Sequence, residues 1–240
     1  MFAESPLLFS HSLLAALGTR MFLHYENRIP SDSRVLVISN HRSFMDAPLL
    51  MAALGRPVRF ACHHYMKQVP VLREVVTQLG AFPLEAPAQR HQQFFKQATE
   101  LLRIGEWVGI FPEGAGPMVQ HTPPDRLKEF QRGFAHLALR AQVENLAVLP
   151  VAIACSEEVV LPAIPVRVLS LFDPSEPMFK KEGFHPVVVY KRVNVLVGRP
   201  HWISSSDRLA YGGKQAKAVV ENMLSSTSAE IAGLLRQGCY

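Results

Sequence analysis

Short runs of β-branched and other apolar residues alternate along this chain with longer stretches of helical period. That alternation confines it to an α/β fold on a largely parallel sheet. Arg34–Ser39 (RVLVIS) reads as a buried strand and leads into a helix over Met45–Leu54 that stops at Gly55. Pro57–Ala61 is a second strand, Val71–Leu79 a helix, and Gly80–Leu84 an extended segment. Pro87–Ile104 is a long amphipathic helix ended by Gly105, and Glu106–Phe111 (EWVGIF) is a further strand. Beyond the Pro-rich loop Pro117–Pro124 the pattern predicts a helix over Leu127–Glu144 and a strand over Ala147–Ala154. Val166–Phe172, Val187–Tyr190 and Val193–Val197 read as strands, and one helix from Asp207 to about Leu235 closes the chain.

With 240 residues, 48% of them hydrophobic, there is enough apolar material for one core, and no composition break divides it. We therefore expect a single α/β domain over residues 31–240, a mostly parallel mixed sheet flanked by helices. An N-terminal amphipathic helix within residues 1–30 precedes it. Its apolar stretch, Pro6–Leu23, is interrupted by His11 and Arg20, so it is too polar for the roughly 20 apolar residues of a spanning helix. It has no basic start of the kind a signal peptide carries. Leu7, Leu8, Leu14, Leu17, Met21 and Phe22 suit a helix lying in a membrane interface, with Arg20, His24 and Arg28 near its end. They suit equally a helix packed on the protein's own core.

The net charge of +5 favours an anionic partner, and nucleic acid, phospholipid, coenzyme A and acidic carrier proteins all qualify. The closing helix carries Lys214, Lys217 and Arg236 without interleaved aromatics, so no nucleic-acid partner is expected. Three cysteines without CxxC spacing suggest neither a disulfide framework nor a zinc site. His63 and His64 are adjacent and point apart, with no third ligand beside them. No metal and no cofactor is expected.

Chemistry gathers after the strand Arg34–Ser39. The segment Asn40-His41-Arg42-Ser43-Phe44-Met45-Asp46 starts at a strand's carboxyl end, where open parallel sheets bind ligands. On one continuous helix His41 and Asp46 would stand about 140° apart, so His41 must lie in the turn before the helix and reach back to Asp46. An imidazole oriented by a carboxylate is a general base. Chance alone supplies about 0.2 such spacings in a chain of this composition, so position adds more than pattern. Phe111-Pro112-Glu113-Gly114 ends another strand at the same edge, and alone would read as a turn carboxylate before a flexible glycine.

Taken in order, these segments resemble the glycerophospholipid acyltransferase family, whose first motif is N-H-x4-D and third is F-P-E-G. Gly80–Leu84 falls at the second motif, Phe130–Gly133 is similar to its F-K-x-G segment, and Val148–Val151 to its apolar fourth motif. The resemblance covers roughly residues 34–155, and Val195–Pro200 is similar to the family's later strand end. It implies an acyltransferase-like fold and transfer from acyl-CoA or acyl carrier protein to a lysolipid or glycerol-phosphate hydroxyl at a cytoplasmic membrane surface, with 1-acylglycerol-3-phosphate the leading acceptor. His41 is then the base and Asp46 its partner. Asn40, Ser43, Glu113, Gly114 and Arg132 form the substrate site, and Pro150 lines the acyl pocket. The third motif usually continues with an Arg where this chain has Gly116, and the second ends in an Arg where it has Ala86. Arg90, Arg126, Lys128 or Arg132 must then replace those phosphate ligands, or the acceptor is another lysolipid. A hydrolase that activates water with the same pair, and a binding-only relative, are the alternatives.

Overall fold

The computed structural model describes residues 5–62, 66, 70–83, 90–114, 122–165 and 184–239. Outside them lie the expected strand 166–172, His63, His64, Lys67, Ala86 and Gly116. In chain order the elements begin with α1 (Ser5–Ala16), β1 (Arg20–His24), β2 (Arg34–Ser39), α2 (Asp46–Leu54), β3 (Val58–Cys62) and α3 (Pro70–Gln78). They continue with β4 (Phe82–Pro83), α4 (Arg90–Arg103), β5 (Trp107–Ile110), α5 (Gly133–Arg140), β6 (Leu146–Pro165), β7 (Phe184–Val197), β8 (His201–Trp202), α6 (Ser205–Gly212) and α7 (Ala216–Gly238).

One eight-stranded sheet runs β1-β7-β6-β2-β5-β3-β4, with β8 also paired to β6. From β6 to β4 all neighbours are parallel, whereas β7 and β8 run antiparallel to β6. The β2 run is apolar without alternation because both of its faces are covered. Val35 and Val37 join a core with Leu14 of α1 and Leu49, Leu50 and Met51 of α2, while Leu36 and Ile38 join another with Leu102 of α4, Phe134 of α5 and Ile231 of α7. These helical layers flank the sheet and leave its carboxyl edge to the loops.

The structure departs from the sequence reading in five places. The N-terminal helix ends at Ala16, and the chain turns at Gly18 with φ +66° into β1, whose alternating exposure shows that Met21 and Leu23 face inward. Apolar residues lie all round α1: Leu14 is buried against α2 whereas Leu8 is 69% exposed, so the helix is not simply amphipathic. α5 starts at Gly133 and not Leu127, because Lys128 N–H and Gln131 N–H are drawn out to Glu113 and to the Pro112 carbonyl. The closing helix breaks between α6 and α7 at Gly212-Gly213, where helix is weakest. β6 is also much longer than expected, and with β7 forms a hairpin arm.

Candidate active site

Ile38 and Ile110 are register partners in adjacent parallel strands, so the segments that follow β2 and β5 leave the sheet side by side. Asn40 continues the ladder with its side chain. Its Nδ2 donates to the Ile153 carbonyl at 2.9 Å and its Oδ1 accepts from Ile153 N–H at 2.8 Å, so the amide imitates a paired strand residue. Ser43 Oγ donates to the Val188 carbonyl at 2.6 Å and accepts from Met45 N–H. Both side chains are buried and their polar groups engaged. They shape the loop.

Asp46 opens α2 and is fully buried. Its carboxylate accepts four hydrogen bonds: Oδ2 from His41 Nδ1 at 2.8 Å, Arg42 N–H at 2.7 Å and Ser43 N–H at 2.9 Å, and Oδ1 from the Tyr190 hydroxyl at 2.8 Å. These donors satisfy both oxygens of the buried carboxylate. Since Asp46 accepts at Nδ1, that nitrogen carries the imidazole proton and Nε2 is the bare, basic one. Nε2 has no partner among the described residues, and the side chain keeps 16% exposure. The ring is stacked on Phe111, centroids 4.1 Å apart and planes within 11°, and Phe111 is stacked in turn on Phe60 at 4.9 Å.

Glu113 joins the two loops. Oε1 accepts from His41 N–H at 3.0 Å and Oε2 from Lys128 N–H at 2.7 Å, so both oxygens serve main-chain groups. Burial pushes its carboxyl above the ordinary glutamate value, although both N–H bonds and His41 pull the other way. Gly114 has φ +67°, and a Cβ there would also stand 2.9 Å from the Gln131 amide, so glycine suits this turn on both counts.

Arg132 and Pro150 have no hydrogen bond to the His41, Asp46 or Glu113 side chains among the described residues. The Arg132 guanidinium pairs with Glu221 of α7 at 2.7 Å, on the layer opposite α2. Pro150 sits within β6 opposite Ile38 and packs against Gly198 just after β7. The sequence reading missed the grip of the arm on the loop. Arg42, 4% exposed, forms a two-pronged pair with Glu158 of β6, both contacts 2.8 Å, and donates Nε–H to the Thr122 carbonyl. Burial opposes its charge, yet Glu158, Tyr190 and Asp46 raise its pKa above the usual arginine value. A tyrosine ending the run Val187–Tyr190 was the available signal, since a hydroxyl in a buried strand needs a partner.

An imidazole held at Nδ1 by a carboxylate, with Nε2 without a partner among the described residues, is an arrangement able to act as a general base. Among the described residues no three His, Cys, Asp or Glu side chains converge to hold a metal ion.

Known proteins share this arrangement at the level of the fold. The crystal structure of the 1-acyl-sn-glycerophosphate acyltransferase of Thermotoga maritima superposes with TM-score 0.54 at 20% identity, over 94% of this chain and 79% of that one. A chloroplastic 1-acyl-sn-glycerol-3-phosphate acyltransferase of Arabidopsis thaliana is 30% identical over 129 residues, 53% of this chain and 34% of its own length. A chloroplastic relative of the same description from Brassica napus is 24% identical over 83% of this chain and 50% of its own. The chain thus spans from a third to about half of the length of the curated relatives it matches. The Acyltransferase family model matches residues 20–154, from β1 through the first half of β6, and the chain belongs to that family.

Proposed function

We propose that this protein is an O-acyltransferase that moves a fatty acyl group from acyl-CoA or acyl carrier protein to a hydroxyl of a lysophospholipid or glycerol phosphate, with 1-acylglycerol-3-phosphate its foremost acceptor. The observation that carries the reading is the 2.8 Å bond from His41 Nδ1 to Asp46, which leaves Nε2 open at the sheet's carboxyl edge. Nε2 takes the proton of the acceptor hydroxyl as its oxygen attacks the thioester carbonyl. Asp46 stabilises the imidazolium that forms. The C–O bond forms, the C–S bond breaks, and the proton passes from Nε2 to the departing thiolate. The names of the relatives support glycerol-phosphate acceptors.

A single-chain lipid is drawn from a bilayer, so the protein works at a membrane surface. No helix among the described residues is long and apolar enough to cross one. Leu8, 69% exposed, and Phe22, 43% exposed, offer apolar contact near the N-terminus, and the net charge of +5 suits anionic headgroups. A soluble thioester donor is consistent with a site on the cytoplasmic face.

The deciding experiment is acyl transfer by purified protein and by His41→Ala, with both donors and a panel of lysolipids and glycerol 3-phosphate. Transfer should fall about 10²–10⁴-fold in a folded variant. A folded His41→Ala protein with full activity overturns the reading, and thioester loss without an acylated acceptor makes the protein a hydrolase.

A further inference from the structure

Tyr190 is fully buried in β7, and its aromatic body belongs to the core shared by α1 and α2. A phenylalanine would fill that space equally well, so the hydroxyl calls for its own explanation. It has one partner, Asp46 Oδ1, at 2.8 Å. The oxygens of Asp46 are unequally served: Oδ2 has three donors, and Tyr190 is the single donor to Oδ1 among the described residues. Without it a buried carboxylate oxygen would face the core unbonded, at a cost natural interiors avoid.

The tyrosine is itself fixed at both main-chain groups. Its N–H donates to Met45 Sδ at 3.3 Å, and its carbonyl accepts from Thr19 Oγ1 at 2.9 Å. It stands across from Glu158, the partner of Arg42, beside a shift in the β6/β7 register at Glu157 and Glu158. Such irregularities re-aim side chains next to functional sites. Burial first, and then the Asp46 charge, push the phenol well above the ordinary tyrosine value, so it stays a donor at every working pH.

We infer that Tyr190 is a positioning residue for the acyl-transfer pair: by donating to Asp46 Oδ1 it fixes the plane and basicity of the carboxylate, and so sets how tightly His41 holds its proton. The inference rests on His41 acting as the base. A carboxylate with a further donor is less basic, so it stabilises the imidazolium without drawing the proton onto itself. Removing the donor makes Asp46 more basic and raises the proton affinity of His41. The other titratable groups around the pair are Arg42 in the loop, Glu113 after β5, and Glu158 and Cys155 on β6. Tyr190→Phe leaves all of these in place.

The test is an NMR titration of the His41 ring in wild type and Tyr190→Phe, assigned with His41→Gln, alongside pH profiles of kcat/KM. In Tyr190→Phe the His41 titration should move upward by roughly half a pH unit or more, and the acid limb of kcat/KM should move with it. kcat should fall on the order of tenfold while KM for both substrates stays within about twofold. Replacing Tyr190 by 3-fluorotyrosine, a stronger donor of nearly the same size, should move the titration downward, and this serves equally if the phenylalanine variant does not fold. A titration and acid limb that stay put in the folded variant, even with a lowered Tm, make Tyr190 a packing residue and overturn the inference. Since the titration needs no turnover, it decides Tyr190 even if His41→Ala keeps its activity and the base assignment fails.

Discussion

The rings of His41 and Phe111 lie parallel, 11° from coplanar with centroids 4.1 Å apart. The first residue of the third motif thus supports the histidine of the first, and Phe60 of β3 backs Phe111 with the same tilt. Three adjacent strands therefore set where the imidazole sits. Behind the stack, a Cβ on Gly109 would stand 2.1 Å from the Phe60 ring.

Gly109→Ala is predicted to push Phe60 into Phe111 and tilt His41. Overpacking of this kind costs about 1–3 kcal/mol. Thermal melting and kcat should fall together, and an alanine variant with unchanged kcat would separate the imidazole from the aromatic stack.

The pair of Arg42 and Glu158 should behave as a buried ion pair. Glu158→Ala leaves a 2%-exposed guanidinium without its carboxylate, a loss of about 3–5 kcal/mol by the usual cost of breaking such pairs. The double variant Arg42→Met with Glu158→Leu should recover much of that, as denaturation midpoints would report. Equal stability of the single and double variants would show that the charges are solvated.

Glu113 supplies a pH signature. Its folded pKa lies above the ordinary glutamate value because burial disfavours the charge. The folded state therefore holds this proton more tightly than the unfolded chain. The stability it contributes is complete below the ordinary glutamate pKa and is lost as pH rises through the raised folded value. In urea midpoints, wild type should lose ground to Glu113→Gln across that window and then run parallel to it. A difference that grows in favour of wild type with rising pH would mean that the N–H donors outweigh burial.

Lys128 is the basic residue whose main chain is bonded to Glu113, and among the described residues no carboxylate pairs with its side chain. With Arg132 paired to Glu221, Lys128 is the base we propose for an acceptor phosphate in place of the customary arginines. Lys128→Ala should raise KM for 1-acylglycerol-3-phosphate about tenfold and leave an uncharged acceptor unaffected. An equal loss on both acceptors would assign Lys128 to the loop alone.

What the sequence made legible was local. RVLVIS and EWVGIF announce buried parallel strands, and the five-residue step from His41 to Asp46 requires the turn that the structure contains. The bonds that complete the loop were not legible, because Asn40 meets a residue 113 positions away and Asp46 meets Tyr190 across 144. Distant capture also hid the ends of elements. Six residues of good helical pattern before Gly133 stay irregular because Glu113 and Pro112 take two of their N–H groups. β1 escaped notice because its five residues alternate at the end of a longer apolar run, and only its pairing with β7 reveals it.

The clamp of Asn40 on Ile153 also bears on the order in which the site is made. During synthesis the His41 loop emerges early, while Ile153 on β6 and Tyr190 on β7, two of the groups that grip it, follow more than a hundred residues later. A one-residue slip of β6 would present Asn40 with the wrong main-chain groups. The His41 loop therefore takes its final shape only when the late half of the chain has docked in register, so on the proposed function a nascent or misregistered chain would meet lipid and thioester without the means to react them.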